Sequence, residues 1–135
     1  MCPERHGASL ALAQLSRAGI SIHVNSATPI IPLRSLVLRR YGAGTFAGVH
    51  GGHGAKFANL VEILRREQLH PSPLAMVGDG IDDRDAATNS GCQFVGIGGG
   101  SLAKSDPSGP WLYTLEHLWP LLCGDLVKEM KECQT

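Results

Sequence analysis

The stretch LAMVGDGIDDRDAATNSGCQFVGIG, from Leu74 to Gly98, decides the fold. It begins with the apolar run LAMVG, passes through an acidic turn and ends with a second apolar run, CQFVGIG. Short apolar runs separated by a helical segment are typical of buried parallel strands. We therefore predict strands over Leu74–Gly78 and Cys92–Gly98, and a helix over RDAATNSG that starts at Arg84 and ends at Gly91.

The rest of the chain continues this alternation of helix and strand. Composition, periodicity and capping residues predict the following elements: a helix at Ala8–Ala18 capped by Gly19, a strand at Ile20–Val24, a helix from Pro29 to Tyr41–Gly42, a strand fragment and glycine-rich loop at Phe46–Lys56, and a short edge strand running into a helix at Trp111–Leu122. The charged tail after Gly124 is compatible with one more helix.

The segment KFANLVEILRREQL predicts an amphipathic helix that begins at Lys56. Its apolar residues recur at helical spacing, so we expect them to form one buried stripe. The expected members of this stripe are Phe57, Leu60, Val61, Leu64 and Leu69.

These patterns predict one α/β domain, a three-layer Rossmann-like fold with a mainly parallel sheet, over residues 1–135. Residues 1–7 and 124–135 are expected to be flexible or peripheral. In such sheets, ligands bind outside the carboxyl ends of the strands. The residues that follow Val24, Val77 and Ile97 are therefore the first candidates for a functional site.

Composition excludes several classes of partner. Twelve basic and twelve acidic residues give no net formal charge, so no global field favours nucleic acid or an anionic membrane. Each apolar run is interrupted before it could span a bilayer, and the first residues lack the pattern of a signal peptide. The four cysteines are widely spaced, without a CxxC pair, which favours reduced thiols and a cytoplasmic protein.

A small polar cluster, Asn25 to Thr28, follows the first predicted strand. The hydroxyls of Ser26 and Thr28, with the backbone N–H groups at the start of the Pro29 helix, can hold a phosphate oxygen. The same two residues are also ordinary helix caps. The residues alone leave both interpretations open.

Four aspartates, Asp79, Asp82, Asp83 and Asp85, follow the buried strand within seven positions. Carboxylates gathered in this way repel one another unless a cation compensates them, and Mg²⁺ is the natural partner. Asp79 is the best ligand candidate, and Asp83 could return to the same site across the turn. The alternative is a solvated acidic turn that caps a helix.

Lys56 follows a flexible loop and can offer a compact positive charge to a phosphate and to nearby carboxylates, although a surface lysine is the simpler interpretation. In the same loop, His50 and His53 flank two glycines. Two histidines without a third ligand favour a polar loop over a metal site.

In order, VNSATP, GAKFANLVEIL, AMVGDGIDDRDAA and GCQFVGIGGG resemble the motifs of the haloacid dehalogenase superfamily, most closely its phosphoglycolate-phosphatase-like members. The resemblance covers Ala8 to Leu122. It implies a Mg²⁺-dependent phosphatase that acts on a small phosphorylated substrate. By this resemblance Ser26, Ala27 and Lys56 bind phosphate, Ser26 and Lys56 take part in catalysis, and Asp79 and Asp83 hold the metal.

The sequence departs from the family at the first motif. Members begin with a strand ending in DxD, which supplies the attacking aspartate, whereas the first 23 residues here contain no aspartate. There is also no room for the family's cap region, which selects substrate and commonly lies between the first and second motifs. The family's central strand, which pairs between the strands carrying the second and fourth motifs, would be missing from the sheet. Three interpretations follow: part of a phosphatase that is inactive alone, a short non-catalytic phosphate-binding, metal-binding or interaction module, or an enzyme that uses another acid. An incomplete sheet also favours self-association.

Overall fold

The computed structural model describes residues 7–71, 73–98 and 111–122. The helices are α1 (Ala8–Arg17), α2 (Ile30–Tyr41), α3 (Lys56–Glu67) and α4 (Ile81–Ser90). The strands are β1 (His23–Asn25), β2 (Gly48–His50), β3 (Ala75–Gly78), β4 (Gln93–Ile97) and β5 (Trp111–Leu112), and a 3₁₀ turn (Leu115–His117) runs into helical residues 118–122. The expectations for residues 1–6 and for the tail after Gly124 lie outside the described residues.

The strands form two parallel sheets. One contains β1 and β2, and the other has the order β3-β4-β5. In the part of the chain that the structure describes, β1 and β3 are not paired with each other and flank a cleft. The predicted α/β class with parallel strands is confirmed, and the two sheets are separated at the position where the family resemblance implies a missing central strand.

Helices cover both faces of the β3-β4-β5 sheet, so the domain has three layers. On one face, Val77 and Val95 contact Ala11 and Leu15 of α1 and Leu118. On the other face, a second cluster brings α3 and α4 against the sheet, and its members are Leu60, Met76, Ala86, Ala87 and Phe94. Adjacent residues of β3 and β4 therefore serve opposite layers, as the alternation of side chains along a strand requires.

Two predicted boundaries are wrong, each by three residues. The strand β1 starts at His23 rather than Ile20, because Gly19 adopts a left-handed conformation and the Ile20 N–H closes the end of α1 on the Leu15 carbonyl. The helix α4 starts at Ile81 rather than Arg84, so part of the predicted acidic turn is helical. Carboxylates in the first turn of a helix interact favourably with its dipole.

The predicted apolar stripe of α3 is wrong in part. Phe57 is 45% exposed and Val61 is 48% exposed, whereas Leu60 and Ile63 are each 2% exposed. Leu69 lies beyond the helix and is exposed as well. The helix is rotated so that its polar first residue, Lys56, faces the cleft rather than solvent. The stripe was predicted from the spacing of apolar residues alone, which carries no information about the polar site on part of the inward face.

His50 lies in β2 and is buried, so the prediction of a polar loop is wrong for this residue, whereas His53 is exposed in the loop that follows. No helix among the described residues has the length and apolar character needed to cross a membrane.

Candidate functional site

The carboxyl ends of β1 and β3 open into one cleft of about 340 Å³. Its polar lining consists of Asn25, Arg40, Tyr41, Lys56, Asp79 and Asp83, and its apolar lining includes Met76, Val77 and Ile97. Parallel strands bring residues that are distant in sequence to the same edge of the domain. Three of the predicted site residues, Lys56, Asp79 and Asp83, therefore share one cavity.

Lys56 is the first residue of α3, a position where the helix dipole disfavours a cation. Its Nζ lies 2.6 Å from Asp83 Oδ1 and 2.8 Å from Asp82 Oδ2. Burial of the amine opposes its protonation, but the bonds to Asp82 and Asp83 outweigh this effect and raise the pKa of Lys56. The bond from Lys56 in turn lowers the pKa of Asp82. The site therefore holds a fixed ammonium ion at physiological pH.

Asp83 is folded back onto the end of β3. The side chain is buried, and its Oδ2 accepts a hydrogen bond from Gly80 N–H at 3.1 Å. A Cβ at Gly78 would collide with the Asp83 carboxylate, so only glycine permits this close approach. Asp79 follows β3 directly and lines the same cleft. The turn thus brings both carboxylates predicted to bind metal to one end of the strand.

The chemistry of this donor pair fits Mg²⁺, which commonly uses one or two protein carboxylates and takes its other ligands from water and phosphate oxygens. Among the residues that the structure describes, no cluster of three or more His, Cys, Asp or Glu side chains forms a dedicated metal cage. Asp79 and Asp83 could serve as two carboxylate ligands of such an ion.

Two asparagines complete the site: Asn25, which the sequence placed in the polar cluster without a role of its own, and Asn59, which the sequence did not single out. Asn25 Nδ2 donates to the carbonyl of Lys56 at 3.0 Å, and Asn25 Oδ1 accepts from Asn59 Nδ2 at 3.0 Å. These bonds hold the start of α3 against the end of β1. Asn59 lies three positions after Lys56, on the side of α3 that also carries Leu60. Asn59 falls outside the predicted stripe of Phe57, Leu60, Val61 and Leu64, so the apolar spacing carried no signal for it.

Ser26 and Ala27 lie next to this cleft but do not line it. The Ser26 N–H donates to the His50 carbonyl at 3.0 Å and extends the pairing of β1 with β2. Its Oγ accepts from Thr28 N–H at 3.1 Å, and Ala27 is exposed. The hydroxyl of Ser26 therefore caps the turn that leads into α2, one residue beyond Asn25.

No protein-family model matches the chain, and no curated protein matches its sequence. Solved structures do match. A predicted phosphoglycolate phosphatase from Haemophilus somnus has a TM-score of 0.76 at 19% identity, covering 86% of this chain and 56% of that protein.

A HAD-superfamily hydrolase from Ehrlichia chaffeensis has a TM-score of 0.75 at 18% identity, covering 89% of this chain and 58% of that protein. CbbY from Rhodobacter sphaeroides, solved in complex with phosphate, has a TM-score of 0.70 at 18% identity, covering 84% and 55%. The chain thus has the fold of the haloacid dehalogenase superfamily phosphatases and spans somewhat more than half the length of these three proteins.

Proposed function

We propose that this chain carries the phosphate- and Mg²⁺-binding part of a phosphomonoester hydrolase, with the reaction centre in the cleft between β1 and β3. One observation carries the proposal: the Lys56 ammonium and the Asp79 and Asp83 carboxylates converge at the carboxyl ends of two parallel strands. Phosphoryl transfer depends mostly on positioning and charge neutralisation, which such a set of groups can supply.

The burial of the two partners of Lys56 suggests how a phosphate would enter. The Asp82 side chain is 63% exposed, and an exposed ion pair of this kind contributes little, so it can be exchanged. The Asp83 side chain is 6% exposed and stays bonded to the amine. We infer that a phosphate oxygen replaces Asp82 at Lys56 while Asp83 keeps the amine in place.

Mg²⁺ held by Asp79 and Asp83 would neutralise charge on the phosphate oxygens when bound. CbbY, whose fold this chain shares, was solved in complex with phosphate, which supports the phosphate-binding part of the proposal. The two carboxylates that line the described cleft are Asp79 and Asp83, and these would bind Lys56 and the metal. We therefore propose that the attacking carboxylate comes from a segment outside the described residues, and that hydrolysis belongs to the protein that contains both parts.

The test measures thermal stability of the chain with Mg²⁺ and inorganic phosphate, followed by release of phosphate from an aryl phosphate. A ligand present at about 100 times its Kd stabilises the native state by about 2.7 kcal/mol, which is measurable as an increase in Tm. Asp79→Asn should abolish the joint stabilisation. Asp85→Asn is the matched control, because Asp85 belongs to the same acidic stretch but bonds to Arg84 and does not line the cleft.

If Mg²⁺ and phosphate leave the Tm unchanged, the site assignment is wrong. Binding without turnover that persists in the protein containing both parts would favour a second function, a non-catalytic phosphate- and metal-binding or interaction module. Among the described residues, no strand pairs with the edges of β1 and β3 that face the cleft, and these edges favour this second function. The backbone of Ser26 bonds to β2, and the backbone of Leu74 bonds to β4. Backbone groups alternate in direction along a strand, so those of Asn25 and Val77 point to the opposite side, toward the cleft.

Open edges of this kind can pair with a strand of another chain or of a second copy. Self-association through them predicts a dimer by light scattering across a dilution series. A monomer at every concentration would remove that form of the second function.

A further inference from the structure

Polar contacts attach α3 to the β1-β2 sheet at both of its ends. At the first end, Asn25 donates to the carbonyl of Lys56. At the last residue of the helix, Glu67 Oε1 lies 2.9 Å from His23 Nε2, and His23 Nδ1 lies 3.1 Å from His50 Nε2. The second attachment is a continuous chain of three titratable groups, and the proposed reaction uses none of them.

The two imidazoles are packed together over a glycine. His23 pairs with Gly48 in the sheet, and the ring centroids of His23 and His50 are 5.3 Å apart. A Cβ at Gly48 would lie 2.7 Å from His50 Nε2 and 2.8 Å from His23 Nδ1. Both side chains are nearly buried, so water cannot readily separate the ring nitrogens. The close approach of the rings requires a position without a side chain.

The hydrogen bonds among His23, His50 and Glu67 determine which ring nitrogens carry hydrogen. An ionised carboxylate only accepts, so His23 Nε2 must carry a hydrogen that it donates to Glu67. When His23 is neutral, its Nδ1 is an acceptor and His50 Nε2 must be the donor. Both imidazoles are then neutral and their facing nitrogens are satisfied. One added proton gives a single imidazolium within reach of Glu67. A second proton would give two neighbouring cationic rings, whose facing nitrogens are 3.1 Å apart.

We propose that His23, His50 and Glu67 form a proton-sensitive clamp on α3. The clamp holds the end of the helix on the sheet while the imidazole pair carries at most one proton, and it releases the helix when the second proton binds. Lys56 lies at the other end of the same helix, so the three residues act as positioning residues for the cleft. The clamp does not depend on phosphate binding; only its consequence for Lys56 rests on the proposed function.

The surrounding charges are consistent with this role. Burial, followed by His23 and Arg66, lowers the pKa of His50, and Arg34 of α2 acts in the same direction. Glu62 of α3 opposes these effects. On the other side, the bond from His23 lowers the pKa of Glu67, and Ser21 also donates to this carboxylate. Arg34 of α2 and Arg66 of α3 therefore oppose protonation of His50, whereas Glu62 of α3 favours it.

The experiment is a histidine titration of the full chain by NMR, combined with amide hydrogen exchange of α3. Near pH 8, we expect both His23 and His50 to carry hydrogen on Nε2. Between about pH 8 and about pH 5, the pair should titrate in two separated steps, and the protection of the α3 amides should fall by about tenfold with the second step.

Glu67→Gln keeps an acceptor for His23 but removes the charge, so it should move the first step to lower pH. Glu62→Gln removes the same charge from the same helix without bonding to either ring, so it should move the first step by clearly less than Glu67→Gln does. The two variants behaving alike would overturn the proposal. Two independent titrations, or hydrogen on Nδ1 of His23 near pH 8, would overturn it in the wild-type protein alone. None of these measurements involves phosphate, so they fail or succeed independently of the proposed function.

Discussion

The two carboxylates bonded to Lys56 should differ strongly in what they contribute to stability. Lys56 Nζ is at similar distance from both, 2.6 Å from Asp83 and 2.8 Å from Asp82. The Asp83 side chain is 6% exposed, whereas the Asp82 side chain is 63% exposed. Distance alone would predict equal effects, so this pair separates the contribution of burial from that of contact.

Lys56→Met leaves Asp83 as a buried charge whose carboxylate still accepts a hydrogen bond from the Gly80 N–H. Loss of one member of a buried ion pair typically costs about 3–5 kcal/mol, and we expect a value near the lower limit because Gly80 still donates to the carboxylate. Asp82→Asn removes an exposed partner and should cost less than about 1 kcal/mol. The difference should therefore be about 2 kcal/mol or more.

The assay is urea denaturation followed by circular dichroism, with a chelator present so that no metal screens the carboxylates. A destabilised variant should show a lower midpoint with an unchanged slope. If Lys56→Met and Asp82→Asn destabilise the protein equally, burial does not govern the interaction, and the reasoning that assigns Asp82 as the exchangeable partner is refuted.

Three further predictions follow from the geometry. Gly78→Ala should destabilise the protein by about 1–3 kcal/mol and weaken Mg²⁺ binding, because the new Cβ displaces the Asp83 carboxylate; unchanged Mg²⁺ affinity by calorimetry would contradict this. In α3, Ile63→Ala should cost about 2–5 kcal/mol, whereas Val61→Ala should stay within about 0.5 kcal/mol, as measured by urea unfolding; the reverse order would mean that the assigned buried face is wrong. The pKa of His50 is lowered from 6.5 in the folded state, so the unfolded chain binds more protons in acid. Its contribution is therefore complete above pH 6.5 and is lost as the pH falls below that value, and the decrease in Tm should be smaller in His50→Gln.

The errors made from sequence have a common physical origin. Phe57 and Val61 were assigned to the core because local periodicity measures only the spacing of apolar residues along the chain. Which face of a helix is buried depends on the surface it meets, and here that surface includes the polar groups of Asn25. For the same reason, local spacing could not predict the hydrogen bond between His23 and Glu67, which are 44 positions apart.

Local sequence was enough to predict the alternation of helices and strands, the parallel character of the sheets, and the placement of Lys56, Asp79 and Asp83 at strand or helix ends. These features follow from residue type and short-range spacing, which act before the chain is folded. The tertiary structure alone decided which of those groups meet in one cleft, that Asp83 rather than Asp82 is buried, and that an imidazole pair holds the far end of α3. Such outcomes depend on contacts between distant segments, whose burial and mutual orientation are set only when the layers pack.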